Sequence, residues 1–200
     1  MNVGIYLFDE VEVLDFAGPF EVFSLAEKDR KKLCQVTTVG ATGEMISARN
    51  GLKVTPDCSF GNHPNFDILI IPGGYGAREI EINKEPVLNW IRGQKEKVLI
   101  MASVCTGSIL LAECGMLDGR RTTTHWMHLD RLKREYPKVK VIRDQKFVDD
   151  GDVVTSAGIS AGIDMSFHLL TRLFGQETAQ VTARRMEYDP VTHSTHGAAD

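Results

Sequence analysis

The chain has 200 residues, with 23 Lys and Arg against 27 Asp and Glu and a formal net charge of −4 at pH 7. That length suits one domain with a sizeable core, and the mildly acidic balance gives no footprint for nucleic acid. The start, Met1-Asn2-Val3-Gly4-Ile5-Tyr6-Leu7-Phe8, has no basic leader and is too short to span a membrane. No other apolar run is long enough for a membrane helix, so a cytoplasmic protein without a membrane partner is expected.

Strand-like and helix-like segments alternate along the chain. Val3 to Phe8 reads as a strand. Pro19 to Glu27 reads as a helix, with Pro19 early in it where a missing N–H costs little. Gln35 to Gly40 is a Val- and Thr-rich strand, and Gly51 to Val54 is short and extended. Phe66 to Ile71 is a strongly apolar strand closed by Pro72-Gly73-Gly74. Glu85 to Glu96 reads as a helix with Val87, Leu88 and Ile91 on one face, and Val98 to Met101 as the next strand. Thr106 to Cys114 and His128 to Tyr136 read as helices. Val139 to Arg143 and Lys146 to Val148 read as short strands flanking a turn. Val153 to Ser156 is a strand, Ala161 to Phe174 a long helix closed by Gly175, and Glu177 to Glu187 a further helix. Near-continuous apolar strands alternating with amphipathic helices predict a parallel sheet covered on both faces. Residues 1–190 form one expected domain, and Val191 to Asp200, with His193 and His196, is expected as a loosely ordered tail rather than a metal site.

The most informative segment is Ala102-Ser103-Val104-Cys105-Thr106-Gly107-Ser108. It predicts a strand, a tight turn and a helix, with Cys105 at the turn. Small neighbours are what a cramped elbow needs. A helix start presents unpaired N–H groups and partial positive charge, which favour the nucleophilic thiolate. The other cysteines are Cys34, Cys58 and Cys114. They form no C-x-x-C pair or zinc spacing, and free thiols are expected. Cys34 and Cys114 read as buried small hydrophobes; Cys58 lies in a polar segment and reads as partly exposed.

Ligands in open α/β sheets bind beyond the carboxyl ends of the strands. Cys105 and Pro72-Gly73-Gly74 both lie at such ends and are expected to share a pocket. A cysteine nucleophile needs activation, donors for the intermediate and a proton carrier. The N–H groups of Thr106 and of Gly73 or Gly74 are candidate donors; a plain turn is the alternative reading of the two glycines. Asp15, in Val13-Leu14-Asp15-Phe16-Ala17-Gly18-Pro19, is either an N-cap of the following helix or an acid against the thiol. Burial and a neighbouring thiolate would raise its pKa, and the pair would then share one proton. His125 is a further candidate for proton transfer or, alternatively, a packed histidine. Trp126, Met127 and Tyr75 either line an apolar pocket or pack in the core.

These segments together resemble the DJ-1/PfpI superfamily from Val3 to about Pro190. The resemblance is carried by Leu14-Asp15-Phe16-Ala17-Gly18-Pro19, Ile70-Ile71-Pro72-Gly73-Gly74, Ser103-Val104-Cys105-Thr106-Gly107-Ser108, Thr122-Thr123-Thr124-His125-Trp126, the stretch Thr155 to Asp164 and Glu187-Tyr188-Asp189-Pro190. It implies a flavodoxin-like three-layer sandwich, mostly parallel, and a homodimer acting on a small molecule without cofactor or metal. It also implies Cys105 as nucleophile, Asp15 as the acid and Thr106 as a further active-site residue. Gly73, Gly74, His125 and Trp126 are the expected substrate-side groups. The protease-like branch carries His directly after the cysteine, whereas this chain has Thr106, which argues against peptidase activity. The resemblance is strongest to a branch that hydrates isonitriles to N-substituted formamides. Glyoxalase or deglycase-type action on reactive carbonyls, and non-enzymatic redox sensing at Cys105, are the alternatives.

Overall fold

A computed structural model describes residues 1–190; the segment read above as a loose tail lies outside the described residues. Strand β1 (Asn2–Leu7) leads into helix α1 (Val13–Leu25), a small hairpin of β2 (Glu27–Lys28) and β3 (Lys31–Lys32), and strand β4 (Gln35–Gly40). A second hairpin, β5 (Ile46–Ser47) with β6 (Lys53–Val54), precedes edge strand β7 (Cys58–Ser59) and core strand β8 (Ile68–Ile71). A π-helical turn, Gly76–Ile80, and helix α2 (Glu85–Gln94) bring the chain to β9 (Ile100–Ser103) and helix α3 (Gly107–Glu113). Then come β10 (Arg121–Thr122), α4 (Leu129–Glu135), β11 (Lys140–Val141), β12 (Phe147–Asp149), β13 (Val153–Ser156), α5 (Ala161–Phe174) and α6 (Gln176–Arg185).

Seven strands make one sheet in the order β12-β13-β9-β8-β1-β4-β7. All neighbours run parallel except β12, which is antiparallel to β13. Ile68, Leu69, Ile70 and Ile71 are all fully buried, as a strand covered on both faces requires. Helices α1, α5 and α6 pack together as one layer, and α2 packs with α3, which lies on β8 and β9. This is the flavodoxin-like sandwich expected from the sequence. No helix among the described residues is long and apolar enough to cross a membrane.

The departures from the predicted elements have identifiable causes. Helix α1 begins at Val13, so Pro19 sits mid-helix and deprives the Asp15 carbonyl of its usual donor. Tertiary bonds set that early start: the Glu12 N–H donates to the Gly73 carbonyl at 2.9 Å, and Val11 bridges Gly74. Asp15 therefore lies in the first turn, and the N-cap position belongs to Glu12. Strand β9 is displaced toward the elbow because its register is fixed by β8, with Ile68 opposite Ile100 and Ile71 opposite Ser103; Leu99 is left exposed. The two short strands read as flanking a turn do not pair with each other. β11 lies beside β10, and β12 beside β13.

Candidate active site

Cys105 follows β9 with φ +55°, a conformation sparsely populated for a side chain of this kind. Three bonds hold it there. Its N–H donates to the Ala157 carbonyl at 3.2 Å, and its carbonyl accepts from the hydroxyls of Thr124 at 2.8 Å and Ser108 at 3.2 Å. Cys105 is only 6% exposed. The adjoining turn after β8 is pressed against it: a Cβ on Gly73 would stand 2.4 Å from the Thr106 nitrogen and 2.9 Å from the Cys105 Cβ. Glycine is required there by this close approach. The two strand ends thus pack directly against each other.

Asp15 is fully buried. Its Oδ2 accepts from the Gly73 N–H at 3.0 Å, whereas Oδ1 has no hydrogen-bond partner among the described protein groups. Burial pushes the carboxyl up to about 7, with Glu12 adding to the rise; the Gly73 N–H, Cys105 and the Ile159 N–H oppose it. The thiol is also pushed up, first by burial and then by Asp15, although the Thr106 N–H and hydroxyl and the Ile159 N–H pull toward thiolate. The expected activation by the helix start is therefore outweighed: at neutral pH the pair retains a proton, and Cys105 rests as a thiol.

Thr106 is buried at the N-cap position of α3. Its hydroxyl and the Gly74 backbone hold each other, the Gly74 N–H donating to Oγ1 at 3.0 Å and Oγ1 donating to the Gly74 carbonyl at 3.2 Å. Both glycine N–H groups expected to orient an intermediate are thus engaged within the protein, Gly73 with Asp15 and Gly74 with Thr106. They position the acid and the hydroxyl.

His125 and Trp126 stand at a neighbouring cleft, which they line with Thr124 and Ile159. The His125 Nδ1 accepts from the Met127 N–H at 3.3 Å. Its ring lies so close to Gly158 that a Cβ there would approach within 2.0 Å. Burial, and then Arg78, lower its pKa, so the imidazole is neutral at neutral pH. Trp126, Met127 and Tyr75 are exposed, which removes them from the core. Cys34 is buried, Cys58 and Cys114 are half-buried, and all four thiols are free.

The sequence reading missed Ile159, whose N–H favours the charged forms of both members of the pair and whose φ is +55°. It also missed Glu12, which raises the acid's pKa. Ile159 follows the carboxyl end of β13, the strand next to β9, so the strand-end rule that found Gly73 could have found it. Among the described residues, no cluster of three or more His, Cys, Asp or Glu could hold a metal ion.

A buried thiol at a strained elbow, facing a buried carboxyl across two strand ends of a flavodoxin-like sheet, defines a class of cysteine-centred α/β proteins. The DJ-1/PfpI family matches residues 1–172, and this chain belongs to that family. It is 33% identical over its full length to an isonitrile hydratase of Pseudomonas putida, covering 84% of that protein. It is also 29% identical over 95% of its length to the HTH-type transcriptional regulator GbdR of Pseudomonas aeruginosa, of which it spans about half, 51%. Among solved structures, a ThiJ/PfpI family protein from Pseudomonas syringae superposes with TM-score 0.85 at 24% identity, covering all of this chain and 78% of the other. Drosophila melanogaster DJ-1beta superposes with TM-score 0.79 at 22% identity, over 94% and 98% of the two chains.

Proposed function

We propose that the protein hydrates an isonitrile to an N-substituted formamide, with Cys105 as nucleophile and Asp15 as proton carrier. The observation that carries this reading is the buried Asp15 carboxyl beside the thiol, poised near half-protonation with one oxygen unpartnered. A terminal isonitrile carbon accepts both a proton and a nucleophile, and this pair offers both. Asp15 takes the thiol proton and delivers it to that carbon as sulfur attacks. One C–S and one C–H bond form, giving a thioimidate. Water then adds, its oxygen to the carbon and one proton to nitrogen. The adduct collapses, the C–S bond breaks, the remaining hydroxyl proton returns to sulfur, and the formamide leaves. The net change is isonitrile plus water to formamide, with thiol and carboxyl restored. The Thr106 hydroxyl, fixed on Gly74, holds the turn after β8 against the elbow.

Attack on a carbonyl needs donors aimed at a developing oxyanion; of the three candidate N–H groups, those of Gly73 and Gly74 are engaged, which leaves that of Thr106. Sulfur attack on an isonitrile carbon generates no oxyanion, which favours hydration over glyoxalase-type chemistry. Oxidative sensing favours an accessible thiolate, and Cys105 is buried and held as a thiol. The test is turnover of cyclohexyl isonitrile by the wild type, Cys105→Ala and Asp15→Asn proteins, with methylglyoxal as the competing substrate. Hydration by the wild type alone supports the reading; undiminished hydration by Cys105→Ala sinks it.

A further inference from the structure

The cleft beside the Cys105–Asp15 pair is about 510 Å³ in volume, within the range of small-molecule sites, about 300–1,000 Å³. Two of its lining residues bear on the pair. The Thr124 hydroxyl bonds the Cys105 carbonyl, and the Ile159 N–H favours the charged forms of the thiol and the acid. The cleft wall is thus joined through Thr124 to the backbone of the reacting residue.

Two features give the cleft chemical character. On its apolar side, Trp126 is 73% exposed, stacked on His125 with ring centroids 5.8 Å apart, and Ile159 is also exposed. Leu129 and Ala161 are buried beneath them. On the polar side, the Lys146 ammonium is anchored at 2.8 Å to Asp164, whose side chain is 1% exposed. The Tyr188 hydroxyl donates to the other Asp164 oxygen at 3.0 Å. An ammonium has three donors, and Asp164 takes one, so Lys146, half exposed where it lines the cleft, keeps donors for a ligand there. Asp164 balances its charge, and Asp144 lines the same wall. The wall thus offers hydrogen bonding without net positive charge.

We propose that this cleft receives the N-substituent of the substrate, and that the substituent has an apolar body with a neutral hydrogen-bond acceptor at its far end. The body packs against Trp126 and Ile159, and the acceptor meets Lys146. This rests on the isonitrile reading above and narrows it to a substrate class.

The test compares kcat/KM for methyl isonitrile, cyclohexyl isonitrile and the same ring bearing a methyl ester. Ratios taken within one variant cancel any loss of folded protein. Trp126→Ala is expected to lower the cyclohexyl-to-methyl ratio about tenfold. Lys146→Met is expected to lower the ester-to-cyclohexyl ratio about tenfold, with recovery in Lys146→Arg. Ratios that stay at their wild-type values while isonitriles are turned over overturn the cleft assignment and leave the chemistry standing. If the wild type hydrates no isonitrile, the chemical reading fails by itself. The cleft is then judged by the Trp126 indole NMR resonance, identified by its loss in Trp126→Phe, on titration with N-cyclohexylformamide. A saturable shift supports a ligand site for such a substituent, and an unmoved resonance overturns it.

Discussion

Replacing Asp15 by Asn should make the protein more stable at neutral and alkaline pH while removing its activity. The unfolded chain releases the Asp15 proton near about 3.9, whereas burial raises the folded carboxyl to about 7. Between those values the folded protein holds a proton that the unfolded chain has lost, so this group makes stability fall as pH rises. The loss is complete above about 7. A gap of roughly 3 pH units at about 1.36 kcal/mol each gives on the order of 4 kcal/mol, an upper figure because Cys105 shares the proton. Asn carries no titrating group, its carbonyl can accept the Gly73 N–H, and its amide can donate on the side where Oδ1 now lacks a partner. At about 2–4 °C per kcal/mol for a chain of this size, the gain at pH 8 is roughly 10 °C in Tm. Thermal unfolding of both proteins from pH 4 to pH 8 is the assay. The difference should be near zero at pH 4 and widen through pH 7. A difference that is constant with pH, or a less stable variant at pH 8, would refute the argument that Asp15 is a buried charge held against its solvation.

The reactive pair carries one proton, so kcat/KM for an isonitrile should rise with pH, with an apparent pKa near that of Asp15, about 7, and then level off. A profile that falls through neutrality would mean that the doubly protonated pair reacts. Gly73→Ala places a Cβ 2.4 Å from the Thr106 nitrogen; it should cost about 1–3 kcal/mol in denaturant unfolding and depress turnover more than substrate binding. Gly158→Ala would meet the His125 ring at 2.0 Å. It should displace the imidazole, visible as a shifted His125 resonance, and raise KM while Cys105 still reacts with small isonitriles.

Much of the sheet and the centre of the site were legible because they depend on local pattern. The apolar run of β8 and the helix α5 announce themselves by composition and period, and the small residues around Cys105 announce the elbow. What escaped was fixed over long sequence distances. The start of α1 follows from Glu12 bonding Gly73, some sixty residues away in sequence, so a reading from Pro19 alone placed the helix late and left Asp15 ambiguous between cap and acid. The engagement of the Gly73 and Gly74 amides was invisible for the same reason, since their acceptors come from α1 and the elbow. The state of the thiol went against local reasoning altogether. The N–H groups at the elbow do act as expected, but burial among the strand ends and the facing carboxyl outweigh them.

In the proposed reaction the nucleophile is therefore not permanently charged. A free thiolate in this pocket would face an ionised Asp15 in a low-dielectric surround, where like charges repel strongly. Keeping one proton between sulfur and carboxyl removes that repulsion and places the proton where the addition needs it. The consequence is that stability and reactivity respond to pH in opposite directions through the same group. Above about 7, the protein gains the one-proton form proposed to react and loses the stabilising second proton. If the Asp15→Asn protein proves both more stable and inert at pH 8, while Cys105→Ala is inert without a comparable gain, the cost resides in the carboxylate and not in the elbow.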